Sequence, residues 1–366
     1  MDQRLTNLAD ILVNYSIQVK PGDWVYLLGE VITLPLVVEI QRKVLAAGGH
    51  LEVLLNSDDL VEDLLSMGNE DQIRWLSPGL LQAAGGADAL ISLGGTSNTR
   101  NLASADPARQ AIRAEPLGKL SAEILGRAQK GEARWVTTNY PCPALAQQAD
   151  MSLRDYEDFI YQATYASHPD PVREWERIQE EQARLVDWLA GKEKIRVRGP
   201  YIDISLSIEG RSFINASGQN NMPDGEIFTS PVEESAEGWV RYTYPAIHGG
   251  RQVDGVELHF EQGRVVKATA DKNEAYLLQM IDIDAAARYL GEFAIGTNQY
   301  IQRFTGSTLY DEKIGGTIHM ALGFGFKEAG GHNESALHWD MVCDMRQDSE
   351  IRVDGELFYK DGKFQV

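Results

Sequence analysis

The feature that most constrains the fold is a change of hydrophobic period part-way along the 366-residue chain. In the first 150 residues, short apolar runs alternate with helical patterns. Residues 24–28 form an apolar run behind Pro21-Gly22, and 34–47 then set Leu34, Val37, Val38, Ile40, Val44 and Leu45 at helical spacing before Gly48-Gly49. Apolar residues three and four apart share one helix face, and a glycine past the last turn supplies the left-handed backbone that ends it. Residues 51–55, 89–95 and 134–138 read as further strands. Strands separated by helices predict a parallel sheet, because parallel neighbours need a crossover connection. Helical pattern then prevails over 152–166 and 171–189. After Lys192 the period drops to two in 194–198, 201–208, 255–260 and 264–268, which predicts antiparallel sheet. One helix, over 273–290, is expected to interrupt it. The fold class is α/β: an N-terminal parallel-sheet α/β domain with connecting helices over 1–180, then a β-rich α+β domain over 181–366.

Charge narrows the partners. With 34 Lys and Arg against 54 Asp and Glu, the net charge of −20 disfavours nucleic acid and anionic membrane surfaces. Nothing resembles a run of ~18 apolar residues or a signal core, so the expectation is a cytoplasmic protein with no membrane segment. Two distant cysteines, Cys142 and Cys343, form neither a disulfide framework nor a cysteine zinc site.

Chemistry concentrates in 291–340. His338-Trp339-Asp340 puts an imidazole and a carboxylate two apart, on one face of a strand. That is half of a divalent metal site, although two polar residues on a surface strand would look the same. His319 lies in the small, apolar context Gly316-Thr317-Ile318-His319-Met320-Ala321, where a buried imidazole must bond something; for a lone histidine the usual partner is a backbone carbonyl. Glu292 is expected at the end of the 273–290 helix, where a carboxylate opposes the helix dipole and a nearby cation would compensate. Glu226 sits where the Pro223-Asp224-Gly225 turn enters a strand, and on pattern alone it reads as a polar turn. Together, Glu226, Glu292, His319, His338 and Asp340 suit zinc, cobalt, manganese or magnesium, and suffice for two ions sharing a carboxylate. Hydrolysis is the chemistry such a pair supports. Of the other histidines, His50 and His248 beside glycine turns read as solvated, and His332 as near the site without being a ligand.

These residues resemble the thermophilic aminopeptidase family of metallopeptidases, the aminopeptidase T and S group. The resemblance rests on Val19-Lys20-Pro21-Gly22-Asp23 near the start, 223–231, Gly291-Glu292, Leu309-Tyr310-Asp311-Glu312, 319–323 and 338–340, in that order. It implies a homodimeric aminopeptidase acting on peptides with two divalent metals. Glu226, Glu292, His319, His338 and Asp340 would be the ligands, Glu292 the bridge, and Glu312 either a ligand or, as the catalytic residue, the general base. Two departures stand out. Six residues separate Glu312 from His319, a longer connection than the family's, which puts Glu312 at risk of displacement. Phe326 stands where the family carries a tyrosine, and a phenyl ring can neither ligate nor donate. Two rivals follow: a mononuclear iron dioxygenase of the 2,5-dihydroxypyridine type on His319, His338 and Asp340, and a catalytically degenerate binding protein.

Overall fold

A computed structural model describes residues 2–366, which fall into two compact units. The first takes the chain to Trp175 and adds 218–223; the second comprises 176–217 and 224–366. The division falls inside the helix Pro171–Leu189.

In the first unit, strands Trp24–Glu30, His50–Asn56, Ala89–Gly94 and Arg134–Asn139 form a parallel sheet, with Asn221–Met222 added at the edge. The helix Leu34–Ala46 crosses between the first two and buries Leu36, Val37, Ile40 and Val44. It ends at Gly48, whose φ of 82° lets its amide turn back to the carbonyl of Leu45. The parallel arrangement read from the alternating pattern is therefore the one observed.

The second unit is antiparallel. An eight-stranded sheet and a five-stranded sheet share one hydrophobic core. The smaller sheet carries the chemistry. Its order runs from His338–Asp344 through Thr317–Gly323, Leu290–Gly296 and Glu226–Thr229 to Ile214–Ala216. One face packs Ile227, Phe293, Ile295, Ile318, Met320, Leu322, Trp339, Met341 and Cys343 into the core, each such side chain contributing about 1.5–3 kcal/mol. Alternation then obliges residues 226, 292, 319, 338 and 340 to face the other way.

The expected 273–290 helix needs correction. The helix is Glu274–Ile281, and Leu290–Gly296 is a strand. Asp284 explains the stop. Its carboxylate accepts the amides of Ala286, Ala287 and Ala336 and the hydroxyl of Ser335, giving the chain a turn in place of a helical bond. Glu292 is thus mid-sheet, and the helix-dipole argument for it fails.

Candidate metal centre

Register brings the predicted residues together. Glu292 lies opposite Ala321, which lies opposite Asp340; Gly323 faces His338; Ala294 faces both His319 and Phe228; Gly296 faces Glu226. The positions between the polar side chains are alanine or glycine, so no bulky side chain stands between the groups that converge there. A register shift at Gly291 puts Leu290 in the core and turns Glu292 to the site face. Only glycine suits that shift, since a Cβ at 291 would lie 2.0 Å from the carbonyl oxygen of Phe324.

Glu226, Glu292 and His319 are buried, at 5%, 4% and 1% exposure. His319 Nε2 is 3.2 Å from Glu226 Oε2 and 3.7 Å from Glu292 Oε1; His338 Nε2 is 3.3 Å from Glu292 Oε2 and 3.6 Å from Asp340 Oδ1. Glu292 therefore touches both imidazoles. Despite this closeness, Glu226 Oε2, His319 Nδ1 and Asp340 Oδ1 have no hydrogen-bond partner. Buried polar atoms are rarely left so. Three trios (Glu226, Glu292 and His319; Glu292, His338 and Asp340; Glu312, His319 and Asp340) bring ligand atoms within 4.8 Å of one another. The unpartnered carboxylate oxygens of Glu226 and Asp340, grouped with imidazole nitrogens and further carboxylates, fit divalent cations. The Nδ1 of His338 lies 3.0 Å from the carbonyl oxygen of Phe324, which can only accept. That bond holds the ring and leaves Nε2 turned to the carboxylates, the usual outer support of a ligating histidine.

Glu312 is not displaced by its long connection. It follows the helix Thr308–Asp311 and joins His319 and Asp340 in the third trio. The residue that sequence reasoning missed is its neighbour. Lys313 is wholly buried, its Nζ 2.9 Å from Glu226 Oε1 and also bonded to Glu312 Oε1. Lysine is almost never fully buried unless paired, and nothing in Asp311-Glu312-Lys313 announces it. Phe326 packs edge-on against His338, Phe228 and Phe324 at 5.3, 5.1 and 5.8 Å between ring centres. His248, expected in solvent, is half-buried, with Nδ1 3.0 Å from the Tyr276 hydroxyl and its ring 5.1 Å from that of Trp339. His50 is exposed, and so is His332, whose amide donates to Glu233.

The cluster is electrostatically tense without a cation. Burial opposes a charged His319, but Glu226, Glu292 and Asp340 outweigh it and carry its pKa up to about 9. Burial is likewise outweighed at His338, which Asp340 and Glu292 raise to about 11. At Asp340 burial is overcome by His338, His319 and Lys313, and the pKa falls to about 2. Burial pushes Glu312 up to about 8, against the pull of Lys313. In the metal-free chain His319 therefore holds its proton up to about pH 9 when folded but only to its ordinary 6.5 when unfolded. Its stabilisation is complete below pH 6.5 and lost as pH rises to 9. Glu312 acts with the same sign between pH 4.5 and 8. The melting temperature of metal-stripped protein should thus fall from pH 6.5 to 9, and a saturating divalent salt should reverse the fall. A flat profile in thermal melts would contradict this.

The fold and the donor set together fit a metal-dependent enzyme. Residues 1–364 match the model of the thermophilic metalloprotease (M29) family, and the chain belongs to that family. It is 26% identical to aminopeptidase T of Thermus thermophilus over 98% of this chain and 96% of that one. It is 25% identical to aminopeptidase 2 of Geobacillus stearothermophilus over 99% and 95%. A solved structure of wild-type AmpT from Thermus thermophilus superposes with a TM-score of 0.87 at 24% identity, covering 100% of this chain and 99% of that one. The chain is accordingly a hydrolase using divalent metal, and the dioxygenase alternative is not supported. Among the described residues no helix is long and apolar enough to cross a membrane.

Proposed function

We propose that the chain is an aminopeptidase that removes the N-terminal residue of peptides with two divalent cations held by Glu226, Glu292, His319, His338 and Asp340. The observation that carries this is Glu292, a buried carboxylate with one oxygen toward each imidazole. That disposition suits a bridging ligand. The ions, when bound, supply a water of lowered pKa and positive charge for the scissile carbonyl. The protein's own groups do the rest. Glu312, raised to about 8 mainly by burial, accepts the proton of the attacking water and returns it to the leaving amine. His338, anchored by Phe324, and His319, walled by the sheet, keep the donors in place. Phe324 and Phe326, both half-buried, pack edge-on beside His338 and make that side of the cluster apolar.

A homodimer in the cytoplasm completes the reading. The resemblance supports the first, and the two buried free thiols, Cys142 and Cys343, are compatible with a reducing compartment. The deciding experiment is elemental analysis of protein purified without chelator, followed by an aminoacyl-amide panel with added cobalt, zinc or manganese. Two ions per chain and turnover abolished by chelator are expected. One ion per chain, or turnover indifferent to chelator, would sink the two-metal aminopeptidase.

A further inference from the structure

Lys313 is a fully buried charged group that the proposed chemistry leaves unused. Its backbone is fixed from both sides: its amide donates to the Tyr310 carbonyl at 3.0 Å, and its carbonyl accepts the Asn298 amide at 3.2 Å. Asn298 in turn donates its side-chain amide to the Asp224 carbonyl, two residues before Glu226. Gly225 packs so closely on Asn298 that a Cβ there would meet its Cβ at 2.9 Å. The segment bearing Lys313 is therefore stapled to the turn bearing Glu226, and the ammonium has little room to wander. It bonds one oxygen of Glu226 and one of Glu312. The other Glu226 oxygen, Oε2, is the unpartnered atom beside His319.

We infer that Lys313 is a positioning residue: its ammonium occupies Oε1 of Glu226 and an oxygen of Glu312, so that Glu226 offers a single oxygen to the cluster and Glu312 is held at its edge. This rests on the metal reading above and adds a consequence to it. A fixed cation beside the donors repels any dication they hold. Lys313 thereby trades tightness of metal binding for a defined arrangement of donors and base. Removing it should move the two in opposite directions, which a residue needed only for packing cannot do.

The test is calorimetric titration of manganese chloride into metal-stripped protein at pH 8, for the unaltered chain, Lys313→Gln and Lys313→Met, with thermal melts to verify folding. Hydrolysis of a leucyl amide is measured in parallel. The folded variants should bind manganese about tenfold more tightly, while kcat falls about a hundredfold through misplaced groups and KM changes little. Equal or weaker manganese binding by a folded variant overturns the inference. So does failure of both variants to fold, since Lys313 would then serve the fold instead of the donors. If the unaltered chain itself binds no manganese, the metal reading fails and this inference with it; normal binding by that chain with no change in the variants defeats the inference alone.

Discussion

Glu292→Gln should lose metal and turnover together, with kcat/KM lower by at least about a thousandfold, or ~4 kcal/mol of transition-state stabilisation. The reason is position. Among the described residues Glu292 is the one carboxylate within 4 Å of both His319 and His338, so the amide removes charge from both halves of the cluster at once. Glutamine keeps the volume in a strand that is buried throughout, and the fold should survive. Elemental analysis should show the variant with less than half the metal of the unaltered chain. The same substitution withdraws a group that raises both imidazoles, so their proton NMR titrations in metal-free protein should shift to lower pH. Full metal content with normal turnover in Glu292→Gln would refute the bridging assignment.

Most of this was legible in the sequence, for identifiable reasons. The β/α alternation announced the parallel sheet because each strand there is a short apolar run bounded by glycine or polar residues. His338 and Asp340 were legible because period two places them on one face whatever the strand's neighbours. Glu292 was found for the wrong reason. The apolar stretch before it fits a helix until Asp284 is known to take the amides of Ala286 and Ala287, a contact that periodicity does not encode. Lys313 was missed for a related cause. Its burial depends on Glu226, 87 residues away in sequence, and composition treats a lysine after two acidic residues as a solvated surface. The long connection from Glu312 to His319 looked like a displacement. It instead holds the Gly315-Gly316 turn and the bridge between Asn298 and Ile314, which return Glu312 to the cluster.

Glu312→Gln should separate chemistry from metal binding. Glu312 stands at the edge of the cluster, within reach of His319 and Asp340 but bonded to Lys313 instead of to an imidazole. The set Glu226, Glu292, His319, His338 and Asp340 remains whole without it. Metal content should stay near that of the unaltered chain, while kcat falls by about 10²–10⁴, the range for loss of a general base, and KM changes little. The pH profile gives a second readout. Burial holds the Glu312 carboxyl near 8 in the metal-free cluster, chiefly against its charged form, and nearby dications would favour the carboxylate and draw it down. The acidic limb of kcat against pH should therefore lie below 8 in the loaded enzyme and vanish in Glu312→Gln. Loss of metal along with turnover would instead make Glu312 a ligand, as the third trio permits, and the base would have to be sought elsewhere on the same face of the sheet.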